Sequence, residues 1–233
     1  MRVLELFAGT GSVGDVARER GWHVVSLDIC GRPTIKQDIM TWDYAAAYPP
    51  GHFDVVWASF PCETFSTTRR SNIGRPSAQH GGAMWTHALM RKDMEEVGVP
   101  LLHKAEEIID YFKPTAYFME NPATGRAKDY VSCIRPVHIF DYCQYAPEWG
   151  YRKRTAVWTN VHVDKAMTCT GGGVCQAMVL HADTNKWGHV NATDGGRPGR
   201  RGTTRRQRYR VPHKLIAYLF DCMQKPPCST TTH

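Results

Sequence analysis

The chain has 233 residues, of which 42% are hydrophobic and 22% charged, with a formal net charge of +7. This composition is that of a folded domain, and apolar runs no longer than a strand exclude a helical membrane span. The length allows one sizeable core with a small appended lobe.

The opening residues MRVLELF pass straight into a core strand, which leaves no room for a signal or transit peptide, so the protein is expected to be soluble and intracellular. In a reducing setting its eight cysteines are expected as thiols, a nucleophile or metal ligands, not as a disulfide framework.

The first strand is expected over 3–7, followed by the glycine turn Ala8-Gly-Thr-Gly-Ser-Val-Gly14 and a helical pattern over 13–20. Strand, glycine turn and helix begin a Rossmann-like unit, in which Gly9, Gly11 and Gly14 let the backbone approach a ligand. A second strand over 22–27 ends in Asp28, placed either to take two ribose hydroxyls or simply to cap a turn. A short third strand over 34–36 leads to Asp38-Ile39, a polar and apolar pair suited to the amino edge and face of an adenine.

The fourth strand, over 53–58, delivers Pro61-Cys62. A thiol presented at a strand end, near positive charge that favours the thiolate, can act as a nucleophile. Taken alone, Cys62 reads rather as a small core side chain, and the nucleophile reading prevails only with the rest of the chain. Residues 67–99 are polar and glycine-bearing, with Arg69, Arg70 and Arg75 and only a modest helical pattern near Met84 to Met94, and are expected as a long loop able to close over a substrate.

Leu101, Leu102, Ala105, Ile108, Ile109 and Phe112 recur at helical spacing, and Lys113-Pro114 ends that helix. A strand over 116–119 delivers Glu120-Asn121-Pro122 as its parallel neighbour delivers Cys62. Strands over 137–142 and 155–161 are joined by a link rich in turn residues, which predicts an antiparallel pair closing the sheet.

From Asp164 to Arg210 there are nine Lys or Arg against three acids, a surplus of six and nearly the whole net charge. A basic segment of this kind is either the footprint of a polyanion, with nucleic acid the default, or a solvated loop. Val211-Pro212 starts a last amphipathic helix with Leu215, Ile216, Leu219, Phe220 and Met223 on one side, and 225–233 is expected as a disordered tail.

Taken in order, LELFAGTGSVG, SLDI, ASFPCETFS, FMENP, YRKRTAVW and RYRVP closely resemble the cytosine carbon-5 DNA methyltransferases, most of all the compact enzymes of phages and large DNA viruses. The resemblance covers 1–161 and 207–224. It implies an α/β, Rossmann-like S-adenosylmethionine-dependent methyltransferase fold with a mostly parallel seven-stranded sheet. The catalytic domain would comprise 1–163 and 207–224, and 164–206 would be a short target-recognition insert.

By motif, Phe7, Ala8, Gly9, Thr10, Gly11 and Pro61 would line the donor site, with Asp28 and Ile29 at the ribose and Asp38 and Ile39 at the adenine. The resemblance assigns Cys62 to attack carbon 6 of a flipped-out cytosine and Glu120 to hold ring nitrogen 3. Arg154 would meet the oxygen at position 2, and Arg152 would steady the catalytic loop or thiolate. Double-stranded DNA is the implied partner. The same chemistry on RNA, or a silent DNA-binding protein that keeps the fold, are the other readings. The chain departs from the family pattern at Thr10, Ser12, Pro122 and Gly150, and in the brevity of its recognition region.

That insert is poor in core residues, and zinc could staple it through Cys169, Cys175 and His181, with Cys143 or His189 as fourth ligand. The spacing matches no standard finger, and free thiols on a flexible loop are the alternative.

Overall fold

A computed structural model describes residues 1–182, 184–193 and 201–224. Seven short segments rich in Val, Leu, Phe and Trp form one sheet: β1 (Arg2–Leu6), β2 (His23–Asp28), β3 (Ile35–Lys36), β4 (Val55–Ala58), β5 (Ala116–Pro122), β6 (Val137–Asp141) and β7 (Arg154–Thr159). Their order is β3-β2-β1-β4-β5-β7-β6. The sheet is parallel except for β7, which runs antiparallel between β5 and β6. This is the mostly parallel seven-stranded α/β sheet expected, and its closing antiparallel pair is also as expected.

Side chains alternate across the strands, so each strand feeds two cores. Leu4, Leu6, Val56, Ala58 and Met119 pack on one face against α4 (Val99–Phe112), through Leu102, Ala105, Ile108, Ile109 and Phe112. Val3, Val55, Trp57 and Phe118 pack on the other against α1 (Ser12–Glu19) and α6 (His213–Cys222), whose Leu215, Ile216, Leu219 and Phe220 are buried as their spacing predicts. Burying apolar side chains on both faces of a sheet is its main source of stability, at roughly 25 cal/mol per Å².

Residues 67–99 are not the expected loop. After 3-10 turns at Thr67–Asn72 and Ala78–His80, helix α3 (His87–Asp93) runs through a π turn, Met94–Gly98, directly into α4. Thr86 caps α3 by accepting the Leu89 N–H at 3.1 Å. The helix buries none of its own residues, so it lacks the apolar stripe that would mark it in a sequence.

Two small helices also escape that signal, α2 (Tyr44–Ala47) and α5 (Arg205–Tyr209). A separate hairpin, β8 (Met178–His181) with β9 (Lys186–His189), stands in the basic insert. Residues 194–200 of the arginine-rich run, and the 225–233 tail expected to be disordered, lie outside the described residues.

Candidate active site

The strand order reverses beside β1, and the crevice past the carboxyl ends of β1 and β4 is where open α/β sheets bind ligands. On the β1 side the chain turns sharply, with Phe7, Gly9 and Gly11 all at positive φ, 57°, 52° and 75°. Only glycine takes such angles freely, and a Cβ at Gly11 would stand in open space. The Asp28 carboxylate spans this turn, with Oδ2 accepting the Gly9 N–H and Oδ1 the Cys30 N–H, each at 2.8 Å.

Each carboxylate oxygen has two lone pairs, so Asp28 keeps one on each oxygen for a further pair of donors. Thr10 binds Ser12 within the turn, and Asp38 lies exposed, its carboxylate accepting the Met40 N–H. Ile39, expected at an adenine face, is instead buried in the core, 3% exposed. The apolar surface that remains beside the two aspartates is Ile29, 64% exposed.

Glu5 supports the turn from below. Its buried carboxylate accepts the N–H groups of Val13 and Gly14, satisfying orphan donors at the start of α1. Burial pushes this carboxyl up to about 7 despite those hydrogen bonds.

On the β4 side, Cys62 is half-buried past Phe60 and Pro61. Asn121 of the neighbouring parallel strand donates Nδ2 to the Phe60 carbonyl at 2.9 Å, tying the cysteine loop to the end of β5. Burial raises the Cys62 thiol above its ordinary value; Lys153 opposes the rise, while Glu120 and Glu63 add to it. Burial thus works against the thiolate, and Lys153 is the neighbour that works for it.

Glu120 is buried, and three donors converge on its Oε1: Tyr142 Oη at 2.9 Å, Lys153 Nζ at 3.4 Å, and the Thr155 hydroxyl. Among the described residues Oε2 receives no hydrogen bond, which leaves that oxygen for a ligand.

Arg152 and Arg154 face elsewhere. Both pair with the fully buried Asp141, Arg152 Nε at 3.0 Å and Arg154 Nη2 at 3.1 Å. In an extended chain successive side chains point to opposite sides, so 152 and 154 share one face while 153 and 155 share the other. That alternation was available in the sequence, yet Lys153, Thr155, Tyr142 and Asp141 were not singled out.

A further link is invisible locally. Glu63, next to the cysteine, binds Arg205 and, at 2.5 Å, the Tyr209 hydroxyl, while Lys153 also donates to the Arg208 carbonyl at 3.2 Å. Helix α5 thus latches onto the loop that carries Cys62. The residues that follow Cys62, from Thr64 to Thr67, line a cleft together with Arg69, Arg70, Arg91 and Arg126.

Four potential metal ligands gather behind this site. Cys143, Cys169, Cys175 and His189 bring their sulfur and nitrogen atoms within 4.8 Å of one another. His181, one of the expected ligands, lies instead at the end of β8 opposite Lys186, outside that group.

No family model matches the chain. Over 222 residues it is 45% identical to a probable DNA (cytosine-5)-methyltransferase of Frog virus 3 (isolate Goorha), covering 95% of this chain and 99% of that protein. Among solved structures it is similar to the Entamoeba histolytica methyltransferase EhMeth, with a TM-score of 0.47 and 13% identity, covering 72% of this chain and 55% of that one. It is also similar to a putative DNA modification methyltransferase encoded within an E. coli prophage, with a TM-score of 0.41 and 13% identity, covering 68% and 46% respectively. The chain spans about half the length of each of those two structures.

Proposed function

The chain belongs to the DNA (cytosine-5)-methyltransferase family, and from that membership we propose that it methylates carbon 5 of cytosine in double-stranded DNA through a covalent bond to Cys62. The observation that carries this reading is the convergence of two parallel strand ends, the Cys62 loop after β4 and Glu120 in β5, held together by Asn121 on the Phe60 carbonyl.

The residues of the first cleft fit S-adenosylmethionine. Asp28 keeps two acceptor positions for a ribose diol, Asp38 and Ile29 offer a polar and an apolar contact for a purine, and the glycine turn leaves room for the amino-acid end. When bound, this donor supplies an electrophilic methyl group on a sulfonium sulfur.

The work of the chain is to make carbon 5 nucleophilic. Cys62 first gives up its proton to water, and its Sγ then gives an electron pair to carbon 6. The carbon 5–carbon 6 pair shifts toward carbon 5, and the protonated Glu120 carboxyl passes its proton from Oε2 to ring nitrogen 3, which balances the charge. Once carbon 5 is methylated, a water or other base takes its hydrogen. The double bond re-forms, the carbon–sulfur bond breaks, and Cys62 leaves as thiolate.

Lys153 is the cation beside both groups, pairing with Glu120 at 3.4 Å and favouring the Cys62 thiolate. A base inside a stacked duplex cannot reach these atoms, so the cytosine must swing out. Arg70, Arg91 and Arg126 along the neighbouring cleft are suited to the phosphates of the opened strand.

Trapping with a duplex containing 5-fluorocytosine tests the reading, because fluorine at carbon 5 blocks the elimination that frees Cys62. Wild type should form a covalent adduct in the presence of donor, and Cys62→Ser should not. Transfer of labelled methyl to tRNA but not to duplex DNA would overturn the choice of substrate.

A further inference from the structure

We infer that Cys143, Cys169, Cys175 and His189 form a tetrahedral zinc site that fastens the basic lobe to the strand end carrying the active-site anchor Asp141. The geometry is that of a coordination shell. A zinc–sulfur bond of about 2.3 Å gives a tetrahedron with edges of about 3.8 Å. His189 Nε2 lies 3.7 Å from Cys169 Sγ and 3.8 Å from Cys175 Sγ, and no pair in the set exceeds 4.8 Å.

The chain is shaped to bring these atoms together. Between Cys169 and Cys175 run Gly171, Gly172 and Gly173, all at positive φ, 75°, 64° and 82°, which coil the segment into a knuckle. Gly173 must be glycine for a second reason, since a Cβ there would stand 2.7 Å from the Trp187 ring. Hairpin β8–β9 then returns the chain, and His189 closes the set, with the Val190 N–H on the Ala177 carbonyl at 3.0 Å.

The lobe has only a small apolar core of its own. Its core is Cys143, Cys169, Cys175 and Ala177, with Met178 against them, while Val174, Leu180 and Trp187 face solvent. So small an apolar cluster rarely orders a loop-rich segment without a staple. Three thiols and an imidazole in one dry cluster make poor hydrogen bonds to each other, but form a complete ligand set for zinc.

Both ends of the cluster reach the active site. Cys143 follows Tyr142, which donates to Glu120, and the Cys169 N–H donates to Asp141 Oδ2 at 2.7 Å. Asp141 in turn holds Arg152 and Arg154, and Thr193, just past His189, donates to the Arg152 carbonyl at 2.7 Å. The site is therefore a positioning device as well as a staple, and it stands whether or not DNA is the substrate.

Metal analysis of the full-length protein is the first test, with one zinc expected per chain. Exchange into cobalt should give the thiolate charge-transfer and visible bands of a tetrahedral site with three sulfur ligands and one nitrogen. Cys175→Ser and His189→Ala should lose both signals, while His181→Ala and Cys62→Ser should keep them. Removing the metal from wild type should speed amide exchange at 141–154 and 165–193 by about tenfold or more, with β1 and β4 unchanged. Protein without zinc, zinc retained in both cluster variants, or a disulfide joining two of the three cysteines would overturn the inference.

Discussion

Lys153 Nζ and Glu120 Oε1 form an ion pair of 3.4 Å between two largely buried side chains, and the same ammonium opposes the burial that raises the Cys62 thiol. Cys62, Glu120 and Lys153 are thus one electrostatic unit. In the free protein its balance favours the thiol, so alkylation of Cys62 by iodoacetamide should still be accelerating as pH passes about 9. Lys153→Met should slow that reaction severalfold near neutral pH, and Glu120→Gln should speed it, because one removes a cation and the other an anion beside sulfur. Peptide mass spectrometry isolates Cys62 from the other thiols. Equal profiles in all three proteins would show that the three groups are not coupled.

Asp141 is the anchor of the opposite face. Burial works to raise its carboxyl, but hydrogen bonds from Arg152, the Cys169 N–H and Arg154 carry it below its ordinary value. Its stabilising contribution is therefore present at neutral pH and fades as acid titrates the folded carboxyl. Asp141→Asn keeps the shape and loses both ion pairs, and should cost about 2 kcal/mol in urea unfolding at neutral pH, with little change in slope. The two arginines lose their orientation together, so methyl transfer should fall more than Arg152→Lys alone would lower it.

Gly98 sits in the π turn between α3 and α4, where a Cβ would collide with Thr64 Oγ1 and stand 3.1 Å from the Phe65 ring. Both neighbours belong to the loop that carries Cys62. Gly98→Ala should push that loop outward, costing about 1–3 kcal/mol of stability and much of the activity. The Thr64 hydroxyl is buried without a partner among the described residues, so Thr64→Ala should be nearly neutral alone. Combined with Gly98→Ala it should restore part of both losses, and absence of any rescue in thermal unfolding would reject the steric account.

Much of this was legible in the sequence because it rests on short-range patterns. The strand ends at Asp28, Cys62 and Glu120 follow runs of apolar residues, and each lies where the sheet places it. Helix α6 follows from its apolar spacing. The unreadable parts are those set by distant partners. Helix α3 buries none of its residues, so only a modest helical pattern near Met84 to Met94 marked it, and the burial of Ile39 depends on the core around it. The donors that surround Glu120 come from just past β6 (Tyr142), just before β7 (Lys153) and within β7 (Thr155), and α5 meets Glu63 across 142 residues of chain. The cysteine cluster shows the same division, since its residue types were evident and its fourth member, His189 in place of His181, depended on which end of a hairpin reaches back.

Glu5 gives the pH dependence its most specific signature. Burial holds its folded carboxyl at about 7, against an ordinary 4.5, even though the Val13 and Gly14 N–H groups and Arg18 act the other way. Between those values the folded protein binds the proton and the unfolded chain does not, so stability falls as pH rises. The integrated effect is about 3 kcal/mol, nearly complete above about pH 7 and absent well below about pH 4.5. Glu5→Gln cannot ionise and should lose this component, while keeping one oxygen for the N–H groups at the start of α1. Urea unfolding at about pH 5 and about pH 7.5 therefore provides a double comparison: the difference between wild type and Glu5→Gln should shift in the variant's favour by about 2 kcal/mol at the higher pH. A difference independent of pH would mean that the carboxylate is already ionised at the lower pH, satisfied by the helix N-terminus beneath the glycine turn.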